Sequence, residues 1–186
     1  LGETPLTHAY SVGESAFEDC AALAYVDLSA LRNAGARIFR GCTSLKKVKF
    51  DDNAKLSKEM FAGSGLTSVT ILDTAGIPAS CFADCASLQE VVFEGMTENI
   101  GEQAFSGCVA LGSVTLPGCT VSLGANCFAG CSALKTLCFS DGTRLSGLDG
   151  GIFKDTGLTT FDVPQGNTAY TVSADGHLLL SPADKM

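Results

Sequence analysis

A phenylalanine recurs seven times along most of this 186-residue chain, each time inside a stretch similar to Ala-Phe-Ser-Gly-Cys at 104–108. Successive phenylalanines are separated by 22, 22, 21, 23, 23 and 25 residues. A period in the low twenties predicts a solenoid, in which each coil of chain buries its apolar side chains against the coils on either side. The seven anchoring residues are Phe17, Phe39, Phe61, Phe82, Phe105, Phe128 and Phe153.

Two apolar positions precede each of these phenylalanines, one by five residues and the other by a single residue. This spacing places both side chains on the inner side of a short helical turn, with the phenylalanine packed beneath. We therefore expect mostly short helical turns or irregular structure on this side of the solenoid. The earlier position holds Val12, Ala34, Leu56, Ile77, Ile100, Leu123 and Leu148, and the later one holds Ala16, Ile38, Met60, Cys81, Ala104, Cys127 and Ile152.

A leucine follows each phenylalanine, by five residues in the repeats of Phe61 and Phe153 and by six in the others. Apolar residues then recur three and five positions after each leucine. Alternation with a period of two predicts a short strand with one buried face, and stacked repeats would form a parallel sheet of about seven such strands. In the two shortened repeats, Ser64-Gly65 and Thr156-Gly157 predict a tighter glycine turn.

Five of the nine cysteines lie three residues after an anchoring phenylalanine, and Ser64 and Thr156 occupy that position in the two shortened repeats. A position that accepts Cys, Ser or Thr is typical of a small buried site whose weak donor reaches a neighbouring carbonyl. We therefore predict free buried thiols, because an in-register ladder does not readily supply disulfide geometry. These five residues are Cys20, Cys42, Cys85, Cys108 and Cys131.

The remaining cysteines raise two other possibilities. Cys81 with Cys85, and Cys127 with Cys131, could together offer four thiolates to a tetrahedral zinc ion. Other repeats place Ala, Ile, Met, Ser or Thr at the same positions, and a whole repeat separates the two pairs, so we predict no metal site and no cofactor. We expect two further cysteines to react with a thiol reagent, one facing outward and one in a loop. These are Cys138 and Cys119.

The pattern I-G-x-x-A-F-x-G-C-x-x-L-x-x-V-x-L-P, matched best at residues 100–117 and 123–139, resembles the BspA-like leucine-rich repeats of bacterial surface proteins. The resemblance covers about residues 12–164 and departs from the pattern at Ala34-Gly35, Ser64 and Thr156. It implies an α/β solenoid, a right-handed leucine-rich repeat superhelix whose parallel strands line the concave face. It also implies a bacterial protein that is extracellular or attached to the cell surface.

We predict a single domain over residues 1–186. Residues 1–11 would be a partial repeat or remnant, 12–164 the seven repeats and 165–186 a capping hairpin. In the last segment two alternating apolar runs flank Asp175-Gly176, which predicts the hairpin turn. This segment is similar to the N-x-x-Y…D-G-x-L sequence that often follows BspA-like arrays, and it would cover the apolar end of the last repeat. No equivalent cap is evident before Val12, which we interpret as truncation.

The chain has 20 acidic and 12 basic residues and a net charge of -8. This balance disfavours nucleic acid as a partner, because an acidic surface repels phosphate backbones. No segment approaches the roughly 18 consecutive apolar residues that span a bilayer, so we expect no membrane insertion, and no signal peptide is visible. Five lysines between residues 46 and 58 are interpreted as a solvated basic patch.

The residues two and four positions after each leucine are predicted to point outward on the concave face, because side chains alternate along a strand. Small hydroxyl residues dominate these positions, and charges gather near the N-terminal end. Pro117 and Pro164 end their strands, where a missing N–H is expected to matter little. The candidate binding residues are Tyr25, Asp27, Lys47, Lys49, Ser68, Thr70, Glu90, Val92, Ser113, Thr115, Thr136, Cys138, Thr160 and Asp162.

Catalysis is disfavoured by the sequence. His8 and His177 would lie at opposite ends of an elongated stack. Glu90 and Glu94 are suitably spaced for a carboxylate pair but are expected at a solvated edge. We therefore predict a non-catalytic module that binds a host or microbial protein through its concave face. The alternatives are a structural spacer or display stalk and a polysaccharide-targeting accessory module, the last disfavoured because Tyr25 is the only outward aromatic residue.

Overall fold

The computed structural model describes residues 3–6, 8–51, 55–72, 74–120, 122–176 and 178–180, and in it the chain winds as a parallel β-solenoid. Each coil contributes a strand to one sheet, then in most coils a strand to a second sheet, and then a run of turns centred on the anchoring phenylalanine. The first of these sheets, which we call the long sheet, comprises β1 (Glu3–Pro5), β3 (Tyr25–Asp27), β5 (Lys47–Lys49), β6 (Ser68–Ile71), β8 (Glu90–Phe93), β10 (Ser113–Leu116), β12 (Thr136–Phe139) and β14 (Thr160–Asp162).

The seven strands predicted from the alternation after each leucine all occur in the long sheet, and Glu3–Pro5 adds one more before them. The strands pair in parallel within three hydrogen-bonded groups, which are β1-β3-β5, β6-β8 and β10-β12-β14. Within each group the register joins equivalent positions of neighbouring repeats, as in Thr136 opposite Ser113 and Thr160.

A second parallel sheet occupies part of the path for which the sequence predicted short helical turns. Its strands are β2 (Ser11–Val12), β4 (Asn33–Ala34), β7 (Thr74–Ile77), β9 (Thr97–Ile100), β11 (Ser122–Leu123) and β13 (Gly147–Leu148). The apolar residue five positions before the phenylalanine is therefore the last residue of a strand in six of the seven repeats. The strands pair as β2-β4 and as β7-β9-β11-β13.

The α/β and helical parts of the fold prediction are wrong, since the described residues contain no helix. The turns around each phenylalanine place the residue two positions before it, and the residue two positions after it, in the left-handed backbone region. Gln103, for example, has φ of 54° and Gly107 has φ of 74°. Left-handed residues four positions apart prevent an α-helix, because every residue of a right-handed helix needs a φ of about −63°.

The side of the solenoid formed by the turns around the phenylalanines, which we call the turn side, is held together by hydrogen bonds between coils. The backbone N–H of Phe105 donates to the carbonyl of Cys127 at 2.8 Å, and those of Gln103 and Gly107 donate to Ala125 and Ala129. The same three-bond pattern links the preceding coils. The turn side therefore satisfies its backbone groups much as paired strands of a sheet do, without a strand conformation.

The phenylalanines form the axis of the core. The six consecutive ring pairs stack with centroids 5.3–6.1 Å apart and interplanar angles of at most 11°. The five inner rings are completely buried, whereas Phe17 and Phe153 at the two ends are half-buried. Ala16 and Cys20, predicted to be buried like their counterparts, are exposed, because no described coil covers the first turn.

The glycine turn predicted in the shortened Phe61 repeat reflects close packing rather than a special backbone angle. A Cβ atom at Gly65 would lie 2.0 Å from the carbonyl oxygen of Thr43 in the preceding coil. Removing one residue from the turn therefore brings two backbones into direct contact, which only glycine allows.

The C-terminal segment forms an antiparallel hairpin, in which β15 (Tyr170–Val172) pairs with β16 (Leu178–Leu180). The ring of Tyr170 is buried and lies 5.3 Å from that of Phe139, and its hydroxyl donates to the carbonyl of Leu145 at 3.0 Å. Asn167 fixes the entry to the hairpin, because its side-chain oxygen accepts the N–H groups of Ala169 and Tyr170. The hairpin thereby covers Phe139, whereas Phe161 and Val163 of the last coil remain half-buried.

Candidate functional site

The outward side of the long sheet carries the residues that the sequence singled out, and we call this surface the ladder face. It is formed by the residues two and four positions after each repeat leucine. The paired register places them in two columns, so Tyr25 lies opposite Lys47 and Ser68 lies opposite Glu90. The exposed members are Lys47, Lys49, Ser68, Thr70, Glu90, Ser113, Thr115, Thr160 and Asp162, and the half-buried members are Tyr25, Val92, Thr136 and Cys138.

Asp27 is the exception, because only 8% of its surface is exposed. Its carboxylate accepts hydrogen bonds from the hydroxyl of Ser29 at 2.6 Å and from the backbone N–H of Ser29 at 3.0 Å. The ammonium group of Lys49, on the next strand, donates to the other carboxylate oxygen at 3.1 Å. The bonds from Ser29, and then the charge of Lys49, hold the pKa of Asp27 below its usual value.

The N-terminal half of the ladder face carries a concentration of positive charge. Lys46, Lys47 and Lys49 are exposed on and beside β5. Lys49 is paired with Asp27, whereas none of the described carboxylates lies within salt-bridge distance of Lys47. The charge of Lys47 is therefore open to a partner.

The long sheet is split in two places, between β5 and β6 and between β8 and β10, and the second split forms a cleft in the middle of the ladder face. β8 and β10 belong to different hydrogen-bonded groups, although the second sheet continues through the same two coils by the pairing of β9 with β11. The cleft between them has a volume of about 290 Å³. Its lining includes Gln89, Glu90, Val92, Ser113, Thr115 and Pro117.

Pro117 accounts for part of this split. Glu94 and Ser140 occupy the position of Pro117 in the preceding and following coils. The N–H of Glu94 donates to the carbonyl of Ile71, and the N–H of Ser140 donates to the carbonyl of Leu116. The corresponding bond to Phe93 would require an N–H on residue 117, which proline lacks. The missing N–H, which the sequence suggested would matter little, thus coincides with an opening in the sheet.

The cysteine positions have the packing role that the sequence predicted. The thiols of Cys42, Cys85, Cys108 and Cys131 are completely buried, and each donates to the carbonyl of the anchoring phenylalanine in the preceding coil at 3.0–3.1 Å. All nine cysteines are free. Burial raises the pKa of Cys42, Cys85 and Cys131 to about 11 and that of Cys127 to about 12. These thiols are therefore protonated and unreactive near neutral pH.

The structure distinguishes the accessible thiols from the buried ones. Cys138 is half-buried on the ladder face, and Cys119 is half-buried with its sulfur accepting the N–H of Thr97 at 3.1 Å. Cys20, predicted as a buried member of the ladder, is the most exposed because no described coil precedes it. The accessible set is thus larger by one than the sequence suggested.

The residues considered for catalysis or metal binding are not brought together. His8 is exposed near the N-terminal end, and His177 lies outside the described residues. Glu90 and Glu94 are both exposed, the first at the start of β8 and the second directly after its end. Over residues 3–6, 8–51, 55–72, 74–120, 122–176 and 178–180, no group of three or more His, Cys, Asp or Glu side chains is arranged to hold a metal ion.

A second buried polar ladder was missed at the sequence level. Thr97, Thr120, Thr143 and Asn167 occupy one position of successive coils, and all four are buried. The Thr120 hydroxyl donates to the carbonyl of Thr97 at 3.1 Å, and the Asn167 amide donates to those of Ser140 and Thr143. The signal was present as threonines 23 residues apart, but a lone hydroxyl between two strands is usually a turn residue.

The coils, their parallel strands and the repeated L-x-x-V-x-L segment define the class of leucine-rich repeat solenoids. A family profile described as a BspA type leucine rich repeat region, with six copies, matches residues 6–76 and 54–174. The chain therefore belongs to the BspA-type leucine-rich repeat family. No curated protein matches the sequence.

Three solved structures share this fold. A leucine-rich cell surface protein from Faecalibacterium prausnitzii is 20% identical with a TM-score of 0.51, over 91% of this chain and 48% of its own. The pneumococcal vaccine antigen PcpA is 23% identical with a TM-score of 0.54, and the match covers 84% of this chain and 33% of PcpA. A leucine-rich repeat protein of T. pallidum is 26% identical with a TM-score of 0.52, and the match covers 82% of this chain and 62% of that protein.

This chain thus spans between a third and about three fifths of the length of these three proteins. Among the residues described, no helix is long and apolar enough to cross a membrane.

Proposed function

We propose that this protein is a non-catalytic binding module that engages a partner protein through the ladder face. The observation that carries the proposal is the contrast between the two sides of the long sheet. The inward positions hold apolar residues in every coil, whereas the outward positions hold basic, acidic, hydroxyl and aliphatic side chains. A surface whose chemistry changes along its length suits recognition of an extended partner, since solenoids commonly bind through such surfaces.

The basic end of the ladder face is the part best suited to contribute binding energy. Lys47 is exposed beside Tyr25, and its charge is not matched by a described carboxylate. An acidic segment of a partner would gain a charge-assisted contact there without displacing the Asp27–Lys49 pair.

We further propose that the protein acts outside the bacterial cell or on its surface. The similarity to a Faecalibacterium prausnitzii protein described as a leucine-rich cell surface protein supports this location. The family to which the chain belongs supports it as well. Antibody labelling of intact cells of the source bacterium tests the location directly, because an internal protein is labelled only after permeabilisation.

The binding proposal is tested by screening the purified protein against immobilised extracellular-matrix proteins and bacterial surface proteins, with a glycan array in parallel. For each partner found, Lys47→Glu is compared with Lys154→Glu, a matched charge reversal at an exposed lysine on the turn side. We expect Lys47→Glu to weaken binding at least about tenfold and Lys154→Glu to leave it unchanged. Equal effects of the two variants would contradict binding through the ladder face.

A spacer or display role is the second candidate, and one observation favours it. Seven of the fourteen ladder-face residues are not charged and carry only a hydroxyl or a thiol beyond the strand, namely Ser68, Thr70, Ser113, Thr115, Thr136, Cys138 and Thr160. Such residues are common on any solvated strand. A chain that binds nothing in the protein screen and the glycan array would favour this role, whereas glycan binding lost on Tyr25→Ala would favour polysaccharide targeting.

A further inference from the structure

The cleft between β8 and β10 opens on one side of the solenoid only. On the turn side of the same coils, the Phe105 and Phe128 rings stack at 5.6 Å. On the second sheet, Ser122 and Leu123 are paired with Asn99 and Ile100. The two coils are therefore held together on two sides, and the opening is a local feature of the ladder face.

Two backbone carbonyls at the cleft lack the donors that their counterparts have. The N–H of Gln89 donates to the carbonyl of Thr67, and that of Lys135 donates to the carbonyl of Gly112. The equivalent donor to the carbonyl of Gln89 would be the N–H of Gly112, but no described residue donates a backbone hydrogen bond to that carbonyl. The carbonyl of Phe93 also lacks its donor, because residue 117 is proline and has no N–H. Both carbonyls are acceptors available to a ligand.

The side chains of the cleft combine one negative charge with apolar walls. Glu90 supplies an exposed carboxylate at one rim. Val92 and Pro117 supply aliphatic surface. Ser113, Thr115 and Ser140 complete the lining with hydroxyls, which can both donate and accept. None of the lining residues is basic. The cleft therefore carries a negative charge, and most of its polar atoms can accept hydrogen bonds.

We propose that this cleft binds an arginine side chain of the partner protein, with the guanidinium at Glu90 and the carbonyl of Gln89 and the aliphatic stem against Val92. Arginine suits the site because its planar group carries five N–H donors and no acceptor. Its methylene stem buries apolar surface while the charge stays near water. A volume of about 290 Å³ is sufficient for one long side chain. The proposal rests on the proposed function, since it names one contact that the ladder face would make.

The test is an amide NMR titration of the whole chain with N-acetyl-arginine-N-methylamide as the probe. Parallel titrations use the equivalent norleucine compound, which has an aliphatic side chain without charge. We expect the arginine probe to shift the amide signals of Gln89, Glu90, Ser113 and Thr115, and the norleucine compound to bind at least about tenfold more weakly.

Two variants locate the interaction. Glu90→Gln keeps the shape of the side chain and removes the charge. We expect it to weaken binding of the arginine probe at least about tenfold. Glu98→Gln is the matched control, because Glu98 is an exposed glutamate on the second sheet, outside the cleft. Equal affinity of the wild type and Glu90→Gln, or shifts spread over acidic residues away from the cleft, would overturn the proposal. A norleucine compound that binds as tightly as the arginine probe would also overturn it.

The same variants separate this inference from the proposed function. A partner whose binding is weakened by Lys47→Glu but not by Glu90→Gln would leave the ladder face as the binding surface and reject the arginine site. A partner weakened by neither variant would contradict the ladder face itself.

Discussion

At the scale of single residues, a repeated side chain has the same neighbours in each coil, so its role follows from its position. The phenylalanine rings contact the rings above and below, and the buried cysteine thiols donate to the phenylalanine carbonyl one coil earlier, as Cys108 does to Phe82. The alternation of Cys with Ser and Thr at one position correctly predicted a small buried donor. Cys20 shows the limit of that reasoning, because the same residue type is exposed where its neighbouring coil is missing from the described residues.

Substituting Phe105 by alanine should lower the free energy of unfolding by about 3–5 kcal/mol, because the ring is completely buried between two others. Phe17→Ala is the comparison, since its ring is half-buried with a single stacked neighbour, and we expect a smaller loss. Urea unfolding followed by circular dichroism measures both. A loss below about 1 kcal/mol for Phe105→Ala would contradict the stacked core.

Thiol labelling of the native protein at pH 7.5 should modify three cysteines. We expect Cys20, Cys119 and Cys138 to react, because they are exposed or half-buried, and the other six to be protected by burial. Labelling under denaturing, non-reducing conditions should reach all nine, and mass spectrometry identifies the sites. Rapid native labelling of Cys85 or Cys108, or pairs of thiols that stay unlabelled after denaturation, would contradict the free buried ladder.

At the scale of elements, the spacing of apolar residues did not distinguish a helical turn from the structure found on the turn side. Apolar residues one and four positions apart can share one side of a helix, and they can also end a short strand and enter a tight turn. The left-handed residues at Gln103 and Gly107 decide between these options, and glutamine gives no sequence signal for that conformation. The alternation after each leucine was unambiguous, because a period of two fits only a strand.

The C-terminal hairpin should depend on Asn167, which makes four hydrogen bonds from a buried position. We expect Asn167→Ala to lower the free energy of unfolding by at least about 2 kcal/mol, because buried backbone groups lose their partners. Asn33→Ala is the matched control at an exposed asparagine and should change it by less than about 0.5 kcal/mol. Similar urea midpoints for the two variants would show that the hairpin does not stabilise the solenoid.

At the scale of the whole molecule, the two ends of the solenoid differ. At the C-terminal end, Tyr170 of the hairpin packs on Phe139. At the N-terminal end, β1 pairs with β3, but Phe17 is half-buried and Ala16 is exposed. Between the ends, six cysteines are buried, and burial raises the pKa of each thiol, so all six contribute to the pH dependence of stability.

The protein should therefore lose stability as the pH rises above neutrality. An unfolded thiol has a pKa of about 8.5, whereas burial raises that of Cys85 and Cys131 to about 11. Between these values the unfolded chain releases protons that the folded chain keeps, so the free energy of unfolding falls with increasing pH. Thermal unfolding at pH 7.5, 9 and 10 under reducing conditions measures the effect.

The control for this pH dependence is the double variant Cys108→Ser, Cys131→Ser, because Ser64 already occupies the equivalent position in one coil. Serine does not titrate in this range, so the fall in melting temperature between pH 7.5 and 10 should be smaller than in the wild type. An identical fall in the two proteins would show that the buried thiols do not cause it.

The sequence by itself determined the coil, the inward residues and the two columns of the ladder face, because a repeated pattern brings equivalent positions together whatever the detail of each turn. Only the tertiary structure decided how neighbouring coils bond. It showed that the turn side bonds between coils, that Asp27 is drawn inward by Ser29 and Lys49, and that β8 and β10 separate. These features depend on the register of backbone donors and acceptors between distant residues, which the residue types of a single repeat do not specify.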